Sequence, residues 1–172
     1  KAPEGYLLDE IRGAKTSLDF TISEEGQVIT KYWSASNTED TMYNAPIRGG
    51  FKFEKKDAET RKNTPLGGAN LQGTFAVVNK SKSYVWVDND GNGAFSSNEK
   101  FRPGDQIFTF TTDAHNGTYE TKSNILLPYG TYEIRETKAP TGYLKLPSKA
   151  VTFSIRNEKE KVDLTNDKAI YN

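Results

Sequence analysis

Three polar side chains, Lys55, Glu136 and Asn166, each continue the apolar face of a predicted strand. Side chains alternate between the two faces of a strand, so residues two apart share a face. The apolar residues in phase with them, in the same order, are Phe51 and Phe53, Tyr132 and Ile134, and Val162 and Leu164. Burial of an amine or an acid is costly unless the group is neutral or paired. We therefore expect the amine, the acid and the amide to be one another's partners in the core.

Two of these assignments have competitors. Lys56 is adjacent to Lys55, but its phase points outward. Asn172 and Asp167 compete with Asn166 for the place on the last strand, and the phase shared with Val162 and Leu164 favours Asn166. The simpler alternative for all three groups is a buried hydrogen-bonded network without a covalent bond.

A second stretch, from residue 88 to residue 99, has residue types that could bind a metal ion. It has the ligand spacing of an EF-hand loop, with a glycine at the sixth position. The predicted Ca²⁺ ligands are the side chains of Asp88, Asp90, Asn92 and Glu99 and the main-chain carbonyl of Ala94. The entering segment, residues 84–87, is predicted as a strand and not a helix. Asp-Gly and Asn-Gly pairs also favour plain hairpin turns, so a calcium site and a plain turn both remain open.

The amino-acid composition argues against several classes of function. The chain has 172 residues, zero formal net charge and no long charged run, which gives no indication of nucleic-acid binding or membrane insertion. Cysteine is absent, which excludes disulfides, zinc–thiolate sites and thiol nucleophiles. The single histidine, His115, lies in a turn-rich stretch and argues against a Ser/His/Asp triad or a multi-histidine metal site. Nothing in the sequence therefore predicts an enzyme with turnover.

The elements that position these residues are predicted to be short strands. Alternating runs rich in Tyr, Phe, Thr and Val are separated by clusters of Gly, Asn, Asp and Pro, and no segment has a helical stripe. This pattern predicts an all-β sandwich.

An internal repeat divides the chain. The Lys-Ala-Pro-x-Gly-Tyr-Leu motif occurs at residues 1–7 and again at residues 138–144, and each copy is followed by alternating apolar residues. In the first copy these predict strands at Leu18–Ile22 and Gln27–Thr30. We predict that residues 1–49 are the C-terminal part of a preceding module with its linker, and that residues 50–172 form a complete domain.

The order of the motifs resembles the CnaB domains, also described as SpaA-type or prealbumin-like, of Gram-positive surface adhesins and pilins. The Glu-Thr-Lys-Ala-Pro-x-Gly-Tyr stretch is the most specific part of the resemblance, which covers roughly residues 50 to 170. The matching motifs are Gly50-x-Phe-x-Phe-x-Lys55-x-Asp57, Pro65-Leu66-x-Gly68-Ala69, Pro128-x-Gly130-x-Tyr132, Glu136-x-x-x-Pro140-x-Gly142-Tyr143 and Leu164-Thr165-Asn166. The fold implied is an immunoglobulin-like or prealbumin-like β-sandwich, preceded here by the C-terminal half of a similar domain.

The resemblance implies an autocatalytic isopeptide bond between Lys55 and Asn166, promoted by Glu136. Burial disfavours the ammonium form of Lys55 and the ionised form of Glu136. A protonated Glu136 would polarise the Asn166 carbonyl and pass a proton to the departing ammonia. This is self-modification and needs no cofactor. In the partial module Asn44 takes the equivalent place, and we expect its lysine and glutamate to lie before residue 1.

The function implied is a stalk or shaft module of a cell-wall-anchored adhesin or pilus subunit, outside the cell, with adjacent domains of the same protein as its partners. The runner-up is an adhesin domain that binds a host protein or glycan through the insertion at residues 79–105. Tyr84 and Trp86 would then line the ligand surface. Cross-strand packing is the other interpretation of these two aromatic residues.

Overall fold

The computed structural model describes residues 1–8, 17–31, 44–65, 67–145 and 150–171. The chain divides into two compact units, Lys1–Pro46 and Ile47–Asn172. This division lies close to the predicted boundary after residue 49.

The described residues are organised almost entirely as short strands joined by turns. The strands are β1 (Tyr6–Leu8), β2 (Asn44–Pro46), β3 (Arg48–Lys56), β4 (Thr74–Asn79), β5 (Val85–Trp86), β6 (Lys100–Phe101), β7 (Gln106–Thr111), β8 (Thr118–Glu120), β9 (Leu127–Pro128), β10 (Gly130–Lys138), β11 (Ala150–Ile155), β12 (Lys161–Leu164) and β13 (Ile170–Tyr171). Single 3₁₀ turns cover Ser97–Glu99 and Asn166–Lys168. Within these residues no helix is long and apolar enough to cross a membrane.

The second unit is a sandwich of two larger sheets, and β5 and β6 form a separate antiparallel pair. One sheet has the order β11-β10-β4-β7, and all its neighbours are antiparallel. The other sheet is built on β3. β12 and β13 pair with β3 in parallel, and β8 and β9 pair with it antiparallel. β3 is therefore the strand to which the C-terminal segment is joined.

Aromatic side chains fill the space between the two sheets. Phe51 and Phe53 of β3 are fully buried, and the Phe53 ring packs edge-on against Phe75 of β4 with centroids 4.7 Å apart. The Phe51 ring lies 5.1 Å from Phe153 of β11. Contacts at these distances and tilts are favourable beyond the apolar area that they bury. The alternation of inward apolar and outward polar side chains along β3 and β10 therefore produces the predicted all-β sandwich.

The first unit has less regular structure. β1 pairs antiparallel with β2. The strands predicted at Leu18–Ile22 and Gln27–Thr30 are absent: residues 17–31 form no ladder, and the Ser23 amide instead donates to Gln27 Oε1 at 2.9 Å. Phe20 and Val28 are 64% and 90% exposed. The strand prediction was wrong because alternation alone does not hold a strand, which needs a partner strand and a covered face.

Candidate functional site

Lys55 lies on the inner face of β3 with no exposed surface. Its Nζ donates to the main-chain carbonyl oxygens of Lys56 at 3.1 Å and of Ile170 at 3.4 Å. Ile170 is the residue directly opposite Lys55 in the parallel pairing of β3 with β13. The amine is thus buried against the last strand of the domain.

Glu136 lies on the inner face of β10 and is 7% exposed. Its partner across the ladder is Phe75 of β4, and Phe75 packs against Phe53, two residues before Lys55. The acid and the amine are therefore carried by facing sheets and share one aromatic neighbourhood. Both have the inward placement that the alternation predicts.

Lys56 has the outward phase that was expected. Its Nζ forms an ion pair with Glu54 Oε2 at 3.1 Å on the opposite face of β3 from Lys55. Glu54 also accepts a hydrogen bond from the main-chain amide of Asn166, at 3.1 Å.

The expected inward position of Asn166 was wrong. β12 ends at Leu164, and Asn166 is exposed in a 3₁₀ turn with a φ of +54°. Its Nδ2 donates to Thr165 Oγ1 at 3.2 Å, and its main-chain amide bonds to Glu54, whose side chain points away from Lys55. An unbroken strand would bring Asn166 opposite Lys55, but the turn shifts the register, so that Ile170 lies there instead.

The other asparagines and the competing acid lie in different surroundings. Asp167 is exposed in the same turn as Asn166, and Asn172 lies outside the described residues. In the first unit Asn44 opens β2 opposite Leu8, and its Oδ1 is buried without a hydrogen-bond partner among the described residues.

Two further residues at the Lys55 site were missed as functional candidates. Asp57 is 2% exposed and accepts a hydrogen bond from the Tyr143 hydroxyl, at 2.7 Å between the two oxygens. The Thr60 amide and the Tyr143 hydroxyl hold the pKa of Asp57 below its usual range, against the effect of burial. Both residues stand in the motifs of the sequence, two positions after Lys55 and directly after Gly142, which is the signal that could have found them.

The loop between β5 and β6 gathers three carboxylates. Oxygen atoms of Asp88, Asp90 and Glu99 all lie within 4.8 Å of one another. Asp88 accepts hydrogen bonds from the amides of Gly91 and Gly93, both at 2.7 Å. Burial opposes ionisation of Asp88, but these amides hold its pKa below the ordinary value. This arrangement concentrates negative charge and carboxylate oxygens, the ligands that Ca²⁺ prefers.

The remaining predicted ligands lie in the same loop. Asn92 Nδ2 donates to Asp90 Oδ2 at 2.8 Å, and the Ala94 amide donates to Asn92 Oδ1 at 2.8 Å. Glu99 is buried, and its carboxylate accepts the amides of Asn89 and Ser96 at 3.1 and 2.7 Å. The loop is entered from strand β5, as the sequence predicts, and leaves through a 3₁₀ turn into β6.

The outer face of the β5–β6 hairpin carries exposed aromatic rings. Tyr84, Trp86 and Phe95 are each between 40% and 53% exposed. Lys100 Nζ lies 4.6 Å from the centroid of Tyr84 and 5.4 Å from that of Trp86. Trp86 and Phe95 meet edge-on with centroids 6.4 Å apart. Together these four side chains form what we call the aromatic patch of the insertion.

Comparison with protein families gives one match. The model of the SpaA family, described as a prealbumin-like fold domain, matches residues 49–168. This range contains Lys55, Glu136 and Asn166 as well as the carboxylate loop. No curated protein matches the chain.

Three solved structures are similar to the chain. The Bacillus anthracis TIE protein is 20% identical over 95% of this chain and 22% of its own, with a TM-score of 0.49. The group B streptococcus pilus 2b backbone protein is 20% identical over 76% of this chain and 44% of its own, with a TM-score of 0.43. BcpA, the major pilin subunit of Bacillus cereus, is 18% identical over 74% of this chain and 35% of its own, with a TM-score of 0.36. The chain spans less than half the length of each.

Proposed function

The chain belongs to the SpaA family of prealbumin-like fold domains, and on this premise we propose that it is a structural shaft module of a cell-wall-anchored surface protein or pilus subunit. Its partners are the adjacent domains of the same protein. It acts outside the cell and performs no catalytic turnover. Its stability comes in part from an isopeptide bond that the domain forms on itself.

The observation that carries this proposal is the full burial of Lys55 opposite the last strand, with Glu136 buried on the facing sheet. A lysine is almost never fully buried unless its amine is paired or neutral. A neutral amine beside a carboxamide is a nucleophile, and a protonated acid can donate a proton. The proposed reaction uses both buried groups, Lys55 as the nucleophile and Glu136 as the proton donor.

The proposed step forms one bond and breaks one. The Nζ of Lys55 attacks the carboxamide carbon of an asparagine, the new C–N bond forms, and the bond from that carbon to the amide nitrogen breaks. Ammonia leaves with a proton that Glu136 donates, and Glu136 regains a proton from the attacking amine. No oxidant and no cofactor is consumed.

From the sequence, Asn166 was expected as the acceptor, but Asn166 is exposed in the turn after β12, and we propose its competitor Asn172 instead. Asn166 bonds to the outer face of β3, whereas Lys55 Nζ lies 3.4 Å from the carbonyl oxygen of Ile170. In the sequence, Asn172 stands two residues after Ile170, the ladder partner of Lys55. The Tyr-Asn pair at residues 171–172 also recurs at residues 43–44.

Peptide mapping of the denatured protein distinguishes the two acceptors. We expect one branched fragment that joins the peptide of Lys55 to that of Asn172, present in Asn166→Ala and lost in Asn172→Ala. The reverse pattern would restore Asn166 as the acceptor. Linear peptides alone, with both asparagines unmodified, would contradict the crosslink.

We also propose that the loop from Asp88 to Glu99 binds Ca²⁺, since three carboxylates converge there with EF-hand spacing. A ligand that binds only the folded state stabilises it, by about 2.7 kcal/mol at a concentration one hundred times Kd. The melting temperature should rise in Ca²⁺ relative to chelator, and Asp90→Asn should reduce the rise. Asp167→Asn, at an exposed position outside the loop, is the control. An equal melting temperature with and without Ca²⁺ would contradict the site.

A second candidate function rests on the aromatic patch. Exposed aromatic rings are enriched at binding surfaces, and here three of them lie together on one hairpin. The candidate is an adhesin that holds a host protein or glycan on this patch. Beads coated with the protein should adhere to a host-cell monolayer, and Trp86→Ala should reduce adhesion, whereas Thr152→Ala on β11 should not. Equal adhesion of the variants would reject this candidate.

A further inference from the structure

Asp57 and Tyr143 connect the segments that follow β3 and β10, the strands that carry Lys55 and Glu136. Neither residue takes part in the proposed bond changes. Asp57 directly follows the end of β3, two residues after Lys55. Tyr143 follows β10 by five residues and belongs to a turn in which its amide donates to the Pro140 carbonyl at 3.1 Å. The 2.7 Å hydrogen bond from the Tyr143 hydroxyl to Asp57 Oδ2 links the two segments beside the buried amine.

Asp57 is a fixed anchor for this bond. Its other oxygen, Oδ1, accepts hydrogen bonds from the amides of Glu59 and Thr60, at 3.0 and 2.7 Å, and from the Thr60 hydroxyl at 3.0 Å. The carboxylate is therefore held by the turn that follows β3, and hydrogen bonds to an ionised acceptor are stronger than neutral ones. Rotation of Asp57 away from Tyr143 would break all of these contacts.

The turn that carries Tyr143 is also constrained. Gly142 has a φ of +91°, and the Asn70 amide donates to the Thr141 carbonyl at 3.3 Å. The centroid of the Tyr143 ring lies 5.9 Å from Lys55 Nζ. A separation close to 6 Å is the outer limit of a cation–π contact. The ring of Tyr143 therefore lies beside the amine, at a distance where its electrostatic attraction is weak.

We propose that the Asp57–Tyr143 hydrogen bond is a clasp that holds the Tyr143 ring over Lys55, excludes water from the amine and keeps it in position to react. Asp57 and Tyr143 are positioning residues and take no part in the bond changes. The inference deepens the proposed crosslinking function and rests on it for its kinetic consequence. Exclusion of water favours the neutral amine, which is the nucleophile.

The first test is the rate of crosslinking. Tyr143→Phe removes the hydroxyl and keeps the ring. We expect a fraction of its purified chains to retain the full sequence mass and to lose ammonia on incubation at least tenfold more slowly than the wild type. Asp57→Asn keeps an acceptor oxygen for the Tyr143 hydroxyl, whereas Asp57→Ala does not, so Asp57→Asn should crosslink faster than Asp57→Ala. If only the charge of Asp57 mattered, the two variants would crosslink at the same rate. Tyr6→Phe, which changes an exposed phenol on β1, is the matched control.

The second test does not depend on the crosslink. In the Glu136→Ala background, which is expected to leave Lys55 unreacted, the native protein is treated with an amine-reactive succinimidyl ester and the labelled lysines are mapped. Adding Tyr143→Phe should raise the labelling rate of Lys55 severalfold and leave that of exposed Lys52 unchanged. Far-UV circular dichroism confirms folding. If Tyr143→Phe does not fold, the comparison of Asp57→Ala, which removes the acceptor of the Tyr143 hydroxyl, with its parent decides by the same labelling.

The outcomes separate the two proposals. Faster labelling of Lys55 on addition of Tyr143→Phe, together with a wild type that never loses ammonia, would reject the crosslink and keep the clasp. Ammonia loss in the wild type, with equal labelling and equal crosslinking rate in Tyr143→Phe, would overturn the clasp and keep the crosslink.

Discussion

At the scale of single residues, the site is defined by polar groups that the fold removes from water. Lys55 and Asp57, two residues apart at the end of β3, are both almost fully buried. Burial of an uncompensated charge is among the most costly events in folding. Asp57 is compensated by its hydrogen bonds to Thr60 and Tyr143. The proposed crosslink would lower the cost of burying Lys55, since an amide nitrogen carries no charge.

Asp57 should make stability sensitive to acid. Its pKa is lowered in the folded state, so the ionised form stabilises the fold at all pH values above the unfolded pKa of about 3.9. That contribution is lost as the pH falls through the lowered folded value. The free energy of unfolding in urea, measured at pH 5 and at pH 2.5, should therefore fall less in Asp57→Asn than in the wild type. Asp167→Asn is the control, and an equal fall in Asp57→Asn would contradict the prediction.

At the scale of elements, the alternation of β3 and β10 was sufficient to predict which way Lys55 and Glu136 face. The same rule failed for Asn166, because Thr165 closes β12 by donating from its amide and its hydroxyl to Asp163 Oδ1 at 2.9 and 2.6 Å. Side-chain hydrogen bonds to the neighbouring backbone compete with a strand ladder. The alternation of apolar and polar residues does not show where such a hydrogen bond ends a strand. The shift in register after Thr165 follows from that hydrogen bond and therefore could not be predicted.

The hydrogen bond between Asp57 and Tyr143 lay beyond sequence reasoning for another reason. The two residues are 86 positions apart, and only the packing of two sheets brings them together. The carboxylate loop is the opposite case: Asp88, Asp90 and Glu99 lie within twelve residues, so local spacing alone predicted that their carboxylates would converge.

The turn after β10 should be intolerant of a side chain at Gly142. Its φ is +91°, and an added Cβ would lie 2.8 Å from the Cβ of Ala69. Gly67 has a φ of +54° and no atom within 4 Å of such a Cβ, which makes it a matched control. We expect Gly142→Ala to lower the free energy of unfolding by about 2–3 kcal/mol and Gly67→Ala by about 1 kcal/mol. Equal losses in denaturant titrations would show that the close approach to Ala69 is unimportant.

At the scale of the whole molecule, the two units differ in how their backbones are held. β3 and β10 have ladder partners on both sides, whereas residues 17–31 form no ladder. Amide hydrogen exchange should therefore be slow in β3 and β10, close to the limit of global unfolding, and fast throughout residues 17–31. Protection of residues 17–31 equal to that of β3 would contradict this account of the first unit.

A bond from Lys55 to the C-terminal segment would close a loop of more than 100 residues. If it acts as a disulfide does, it lowers the entropy of the unfolded chain and stabilises the fold by on the order of 4–5 kcal/mol. It would also connect the first and last strands of the domain, β3 and β13, which already pair in parallel. Tension applied along a shaft would then pass through a covalent link and not through the hydrogen bonds of the sheet alone.

The most direct test of the proposed crosslink is the intact mass of the denatured protein, measured for the wild type, Glu136→Ala and Glu133→Ala. Glu133 lies on the outer face of the same strand, where it pairs with Lys80 and Arg135, and serves as the matched control. We expect the wild type and Glu133→Ala each to be lighter than their sequence mass by one ammonia, and Glu136→Ala to have its full sequence mass. A wild type at full sequence mass would contradict the crosslink, and an equal loss of ammonia in Glu136→Ala would contradict the role of the acid.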